Sequence, residues 1–132
     1  VVSAFGRVDS VDRDALGDEL EKRCAQAGVT LPVLVEVNVS GEESKAGYPA
    51  DELAATLDRL RERPHLCVEG LMTMAPFFDD PEKARPLFAR LRALSDRHGL
   101  TVCSMGMSND FEVAVEEGAT EVRIGSELFK EI

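Results

Sequence analysis

A chain of 132 residues is long enough for one domain with a real core and short for two. Its hydrophobic share of 44% and charged share of 30% suit a globular domain, and no apolar run approaches the roughly 20 residues of a membrane span. A formal net charge of −10 argues against general affinity for nucleic acid or anionic membranes, since that needs clustered Lys and Arg.

Two kinds of segment alternate along the chain. Apolar, β-branched runs predict strands at 7–11, 32–40, 67–75, 100–107 and 121–125. The second and third are nearly continuous, as expected of strands buried on both faces of a parallel sheet. The first intervening helix is expected to start near an Asp12 cap, turn Leu16, Leu20 and Cys24 inward, and stop at Gly28. The second opens with Pro49 in its first turn, carries Leu53, Leu57 and Leu60, and ends before Pro64. Asp80 caps the third and Pro81 takes its first position; Leu87, Leu91 and Leu94 form its stripe and Gly99 ends it. The fourth is short, from a Ser108 or Asn109 cap to Gly118. Glu21, Arg59, Arg61 and Arg90 read as solvated outer faces. Cys24, Cys67 and Cys103 are an odd count without Cys-x-x-Cys spacing, which points away from disulfides and structural zinc. They read as three buried small hydrophobes in a reducing cytoplasm. Strict alternation of strand and helix implies a parallel α/β sheet, doubly wound or barrel.

In such a sheet ligands gather at the carboxyl ends of the strands. Four of these ends carry unusual sequence: VNVSGEESKAG (37–47), GLMTMAP (70–76), GMSND (106–110) and VRIGS (122–126). In GMSND a strand turns directly into a helix, so N–H groups and the Ser108 hydroxyl face whatever sits at the strand end. In VRIGS, Gly125 permits close approach of a ligand to the backbone. Two such turns on consecutive strands match the common barrel phosphate site, while a plain helix cap at Ser108 and a plain turn at Gly125 are the structural alternatives. Arg123 points to the opposite side from Val122 and Ile124, either into a barrel interior with a partner or into a strand-end salt bridge.

At these residues the sequence resembles the pyridoxal phosphate homeostasis protein family, whose fold is similar to the barrel of alanine racemase. The four stretches above, the last read as EVRIGSELF (121–129), and a weaker fifth, VDSVD (8–12), run in family order. The resemblance implies a partial (β/α)8 TIM barrel of the alanine racemase N-terminal-domain type, with the five strands corresponding to the fourth through eighth of the family fold. It implies that Ser108 holds the phosphate of pyridoxal 5′-phosphate and that the backbone N–H groups of Gly125 and Ser126 complete the cradle. Arg123 would face the pyridine nitrogen, and a guanidinium cannot accept a hydrogen bond, so the nitrogen would stay unprotonated and the ring would be a weak electron sink. Met72 packs near the ring or serves as a core methionine.

The family's cofactor-bearing lysine lies at the end of the first barrel strand, in a segment this sequence lacks; Lys45 matches a non-ligand loop instead. The expected function is therefore to hold pyridoxal phosphate in vitamin B6 homeostasis, in the cytoplasm, without catalysis, catalytic residues or metal. The alternatives are a fragment of a racemase- or decarboxylase-like pyridoxal enzyme and a phosphate-binding barrel fragment unrelated to B6. Residues 1–132 are expected to form a single partial barrel domain that does not close by itself, because such barrels take eight strands and at least about 200 residues. Self-association or a preceding N-terminal segment would complete it, and Val1 is an improbable natural start.

Overall fold

Strands and helices alternate along a computed structural model of the chain, which describes residues 7–40, 47–76, 78–123 and 129–131, Arg123 and the last three by backbone only. The order is β1 (Val8–Val11), α1 (Asp14–Ala27), β2 (Leu31–Asn38), β3 (Tyr48–Pro49), α2 (Leu53–Arg61), β4 (Leu66–Met72), α3 (Arg85–Arg97), β5 (Val102–Ser104), α4 (Phe111–Glu116), β6 (Glu121–Arg123) and β7 (Phe129–Glu131). Along the sheet the strands run β1-β2-β4-β5-β6-β7, and β3 pairs with the carboxyl end of β2. Neighbours from β1 to β6 are parallel, and β7 turns back antiparallel on β6. This is the α/β architecture expected, with the five anticipated strands in sequential order.

One face of the sheet packs against the helices. Val33, Val35 and Val37 of β2, Leu71 of β4, Cys103 of β5 and Val122 of β6 join Leu20 and Cys24 of α1, Leu57 and Leu60 of α2, Phe88 and Leu91 of α3 and Ala114 of α4 in one core. Side chains alternate along a strand, so Leu34, Glu36, Asn38, Met72, Ser104 and Glu121 belong to the other face. That face is concave. From β1 to β6 is four strand-to-strand steps, about 19 Å in a flat sheet at about 4.8 Å each. Yet Arg7, just ahead of β1, donates to Glu121 at the start of β6, Nη1 to Oε2 at 2.7 Å. Only a sheet curled into a half-barrel brings those ends together.

Gly70 shows how tightly the middle strands approach: a Cβ there would lie 2.0 Å from the Val102 carbonyl oxygen. The β2–β4 register shifts between Val33 and Leu34, where Gly70 pairs with Leu34.

Several local expectations need correction. α1 does end at Gly28, but Arg13, not Asp12, is its N-cap, because the Asp12 carboxylate is held by the Arg13 guanidinium at 2.8 Å. Pro49 closes β3 and precedes a 3-10 turn at Ala50–Glu52, so α2 starts only at Leu53. Asp80 caps as expected, accepting from the Glu82 N–H at 3.0 Å, yet it caps a 3-10 turn, Pro81–Ala84, that leads into α3. The buried stripe of α3 is Phe88, Leu91 and Ser95, with Leu87 and Leu94 half-buried. The phenyl ring offers the larger apolar area and takes the inward position. Cys24 and Cys103 are buried, but Cys67 is exposed on β4. Glu21 and Arg90 are not simply solvated: Glu21 accepts from the His65 backbone N–H at 2.8 Å, and Arg90 donates to the Val39 carbonyl at 3.0 Å.

Candidate functional site

The concave face carries polar groups in register. Glu36 of β2 pairs with Met72 of β4, Met72 with Ser104 of β5, and Ser104 with Glu121 of β6. Glu36, Met72 and Ser104 are 7%, 2% and 4% exposed, so this row lies inside the curl rather than on its rim. Arg7 binds Glu121 and also Asp9, Nε to Oδ1 at 2.6 Å. Its guanidinium is held firmly protonated, first by the hydrogen bond to Glu121 and then by that to Asp9. Sequence reading singled out Met72 and missed Glu36 and Ser104. Their signal was alternation against the helix-facing Val35, Leu71 and Cys103.

After β5 the chain turns at Gly106, whose φ of 104° belongs to the left-handed region that favours glycine. A Cβ there would also lie 2.6 Å from the Ala114 Cβ, so glycine lets α4 fold back close beneath the strand. Residues 108–110 form a turn, and α4 begins at Phe111 with Asp110 at its N-cap, where a Ser108 or Asn109 cap was expected. The buried Asp110 carboxylate points backward and accepts from the Met107 N–H at 2.6 Å, pinning the turn. Ser108 and Asn109 are left exposed at its apex.

A cleft of about 260 Å³ opens beside Ser108, between the 81–84 turn and α4. Glu82, Asp110, Glu112 and Glu116 line it, so its sign is wrong for a phosphate. Arg85 bridges two of these carboxylates, Glu82 and Glu116, and also Glu117, at 2.8, 2.6 and 2.7 Å. The same guanidinium holds the Glu82 carboxyl below the usual carboxylate range.

The strand ends bearing Met72, the Ser108 turn and Arg123 are adjacent, since β4, β5 and β6 are consecutive in the sheet. The Met105 N–H donates to the Glu121 carbonyl at 3.1 Å just before the turn, tying the last two together. Gly125, Ser126, Lys45 and the Arg123 side chain lie outside the described residues. Among the described residues no three His, Cys, Asp or Glu side chains are placed to hold a metal ion, and no helix is long and apolar enough to cross a membrane.

A curled parallel sheet, helices on its convex face and polar residues in its hollow define an α/β half-barrel. The chain belongs to the family of the alanine racemase N-terminal domain, whose model matches residues 8–131. It is 46% identical over 130 residues to the pyridoxal phosphate homeostasis protein of Aquifex aeolicus, covering 94% of this chain and 57% of that protein. The human protein of the same name is 38% identical over 136 residues, 94% of this chain and 50% of its own length. The chain thus spans about half the length of these curated relatives. Among solved structures, PipY of Synechococcus elongatus with PLP bound superposes with a TM-score of 0.82 at 32% identity, over 98% of this chain and 63% of PipY. Alanine racemase of Corynebacterium glutamicum shares the fold, with a TM-score of 0.64 at 22% identity, over 89% of this chain and 34% of the enzyme.

Proposed function

We propose that this half-barrel holds pyridoxal 5′-phosphate at its strand ends and serves vitamin B6 homeostasis without catalysing a reaction. The observation that carries the reading is the parallel pairing of β5 with β6, which sets the Ser108 turn beside the strand end bearing Arg123. The residues fit the group: an exposed hydroxyl on a pinned turn suits a phosphate oxygen, and the buried Met72 thioether gives an apolar floor one strand away. In this reading Ser108 donates to the phosphate, the backbone N–H groups of Gly125 and Ser126 complete the cradle, and Arg123 faces the pyridine nitrogen. When bound, the cofactor supplies a reactive aldehyde on a ring that can act as an electron sink. An arginine at the ring nitrogen weakens that sink, which suits storage better than carbanion chemistry. The names of the curated relatives and the cofactor-bound PipY support the same assignment.

Residues 1–132 are read as one partial barrel domain, completed by an N-terminal segment or a second copy. The acidic balance and the cysteine usage favour a cytoplasmic setting with neither nucleic acid nor membrane as partner. Titration with pyridoxal phosphate tests the reading. A saturable change in the cofactor's absorbance band is expected, with no exchange at the α-carbon of D- or L-alanine. Absence of any saturable band would overturn the binding assignment, and sustained exchange would overturn its non-catalytic half.

A further inference from the structure

The cleft between the 81–84 turn and α4 carries more negative charge than its neighbours balance. Of the four carboxylates that line it, Glu82 and Glu116 share the Arg85 guanidinium. The other two remain open to a donor. The Glu112 side chain is exposed and has no hydrogen bond or ion pair among the described residues. Asp110 is only 6% exposed; its Oδ1 accepts from the Met107 N–H, and its Oδ2 accepts from none of the described residues. A buried carboxylate oxygen left without a donor is destabilising until a ligand supplies one. Among the described residues no three acidic side chains are placed to hold a metal ion, so the fitting donor is a larger, organic cation. The rest of the cleft suits a polypeptide. The half-buried Phe111 ring lines it, and a guanidinium stacks well on such a ring. Val115, one turn along the same face of α4, is 42% exposed, and Met107 ahead of the turn is 39% exposed. These are two of only four large apolar side chains that the described residues expose. A small free cation gains nothing from them, whereas a protein segment with an arginine beside apolar residues covers them. A second copy of this chain fits less well, because a net charge of −10 sets two copies against each other.

We propose that this cleft docks a partner protein, taking one of its arginine side chains between Asp110 and Glu112 and laying its apolar neighbours on Phe111 and Val115. The surface does not depend on the cofactor assignment, although both adjoin the Ser108 turn. Glu112→Lys reverses the open surface charge at an exposed position. Asp110→Asn keeps an oxygen for the Met107 N–H and replaces the free Oδ2 by an NH2 group, which repels an arginine donor. Asp58→Lys makes the same change of net charge on α2, away from the cleft.

The test titrates the protein and its variants by NMR with a short peptide that sets arginines beside leucines. Two control peptides carry glutamate for each arginine, or serine for each leucine. Saturable amide shifts are expected in the 81–84 turn and residues 107–116, weakening as salt rises. E112K is expected to weaken binding about five- to tenfold and D110N about threefold or more, while D58K stays within about twofold of wild type. The serine peptide is expected to bind about fivefold more weakly than the leucine peptide, and the glutamate peptide not at all. No saturable shift, shifts centred elsewhere, or an equal loss in E112K and D58K would overturn the docking site. Equal binding of the serine and leucine peptides would reduce it to a charged patch and overturn the proposal as well. A dimer in sedimentation that E112K dissolves would give the surface to a second copy and overturn the partner. None of these outcomes touches the cofactor reading, which the pyridoxal phosphate titration decides by itself.

Discussion

Along β2 the residues facing the helices are Leu31, Val33, Val35 and Val37, whereas those facing the hollow are Leu34, Glu36 and Asn38. The same division runs across the sheet. Leu71, Cys103 and Val122 lie on one side, Met72, Ser104 and Glu121 on the other. The helix side is uniformly apolar because each of its positions is covered by α1 to α4, and burial of apolar area is its whole contribution. The concave side keeps carboxylates, a hydroxyl and an amide, groups that cost free energy to bury unless partnered. Partnered polar residues make the hollow the face on which the proposed cofactor would sit, while the other face provides stability. The two faces share one backbone, so a change on either reports on a different property of the same strand.

The largest expected effect breaks the helix face. Phe88→Ala removes a fully buried ring from the centre of α3 and is expected to cost about 3–5 kcal/mol in urea unfolding at unchanged m-value. A loss below about 1 kcal/mol would show that α3 is not packed on the sheet as described. Next comes the concave side. Ser108→Ala is expected to lower affinity for pyridoxal phosphate about tenfold while stability stays within about 0.5 kcal/mol, since the side chain is exposed. Equal affinity in the two proteins would move the phosphate away from this turn. Met72→Leu sharpens the division further: volume is nearly conserved, so stability is expected to fall by less than about 1.5 kcal/mol. The absorbance band of the bound cofactor is nonetheless expected to shift, and an unchanged band would make Met72 a core residue only.

The smallest effect lies at the margin of the helix face. The Asp14 carboxyl is held below its ordinary value of 3.8, first by the Tyr48 hydroxyl that donates to it at 2.8 Å and then by Arg59 at 3.0 Å. Its folded-state pKa is depressed, so its contribution to stability is present above the unfolded value and is lost as pH falls through the folded one. Asp14 is well exposed, which keeps that contribution small. Tyr48→Phe is expected to raise the Asp14 midpoint in an NMR titration. A midpoint that does not move would place the cause in Arg59 alone.

The alternation of strands and helices was legible because period-2 and period-3.6 patterns do not overlap along this chain. Gly28 and Gly99 stopped their helices where expected. What escaped notice is instructive. β3 has two residues and β7 three, too short for periodicity to register, and both exist only because a neighbouring strand offers unpaired groups. The Leu87 stripe looked as regular as the Phe88 stripe one residue along, and only tertiary packing chooses between them. Asp110 was not considered as a cap, since its role is to bind backward to Met107. On the site, sequence motifs located the strand ends that the sheet brings together. The buried row of Glu36 and Ser104 was hidden inside runs that read as simply apolar.

The contact between Arg7 and Glu121 has a kinetic meaning. It joins residues 114 apart, so forming it closes a loop of nearly the whole described chain. Native contacts of such long range are costly to make early, and this one unites the two ends of a curl whose middle, β2 against β4, can assemble first. It therefore belongs to the last stage of folding and the first of unfolding. Salt, which weakens half-exposed ion pairs, is expected to quicken unfolding in stopped-flow experiments and leave the folding rate nearly unchanged. The hollow would then open from its mouth, by loosening of one ion cluster, well before the sheet beneath it comes apart.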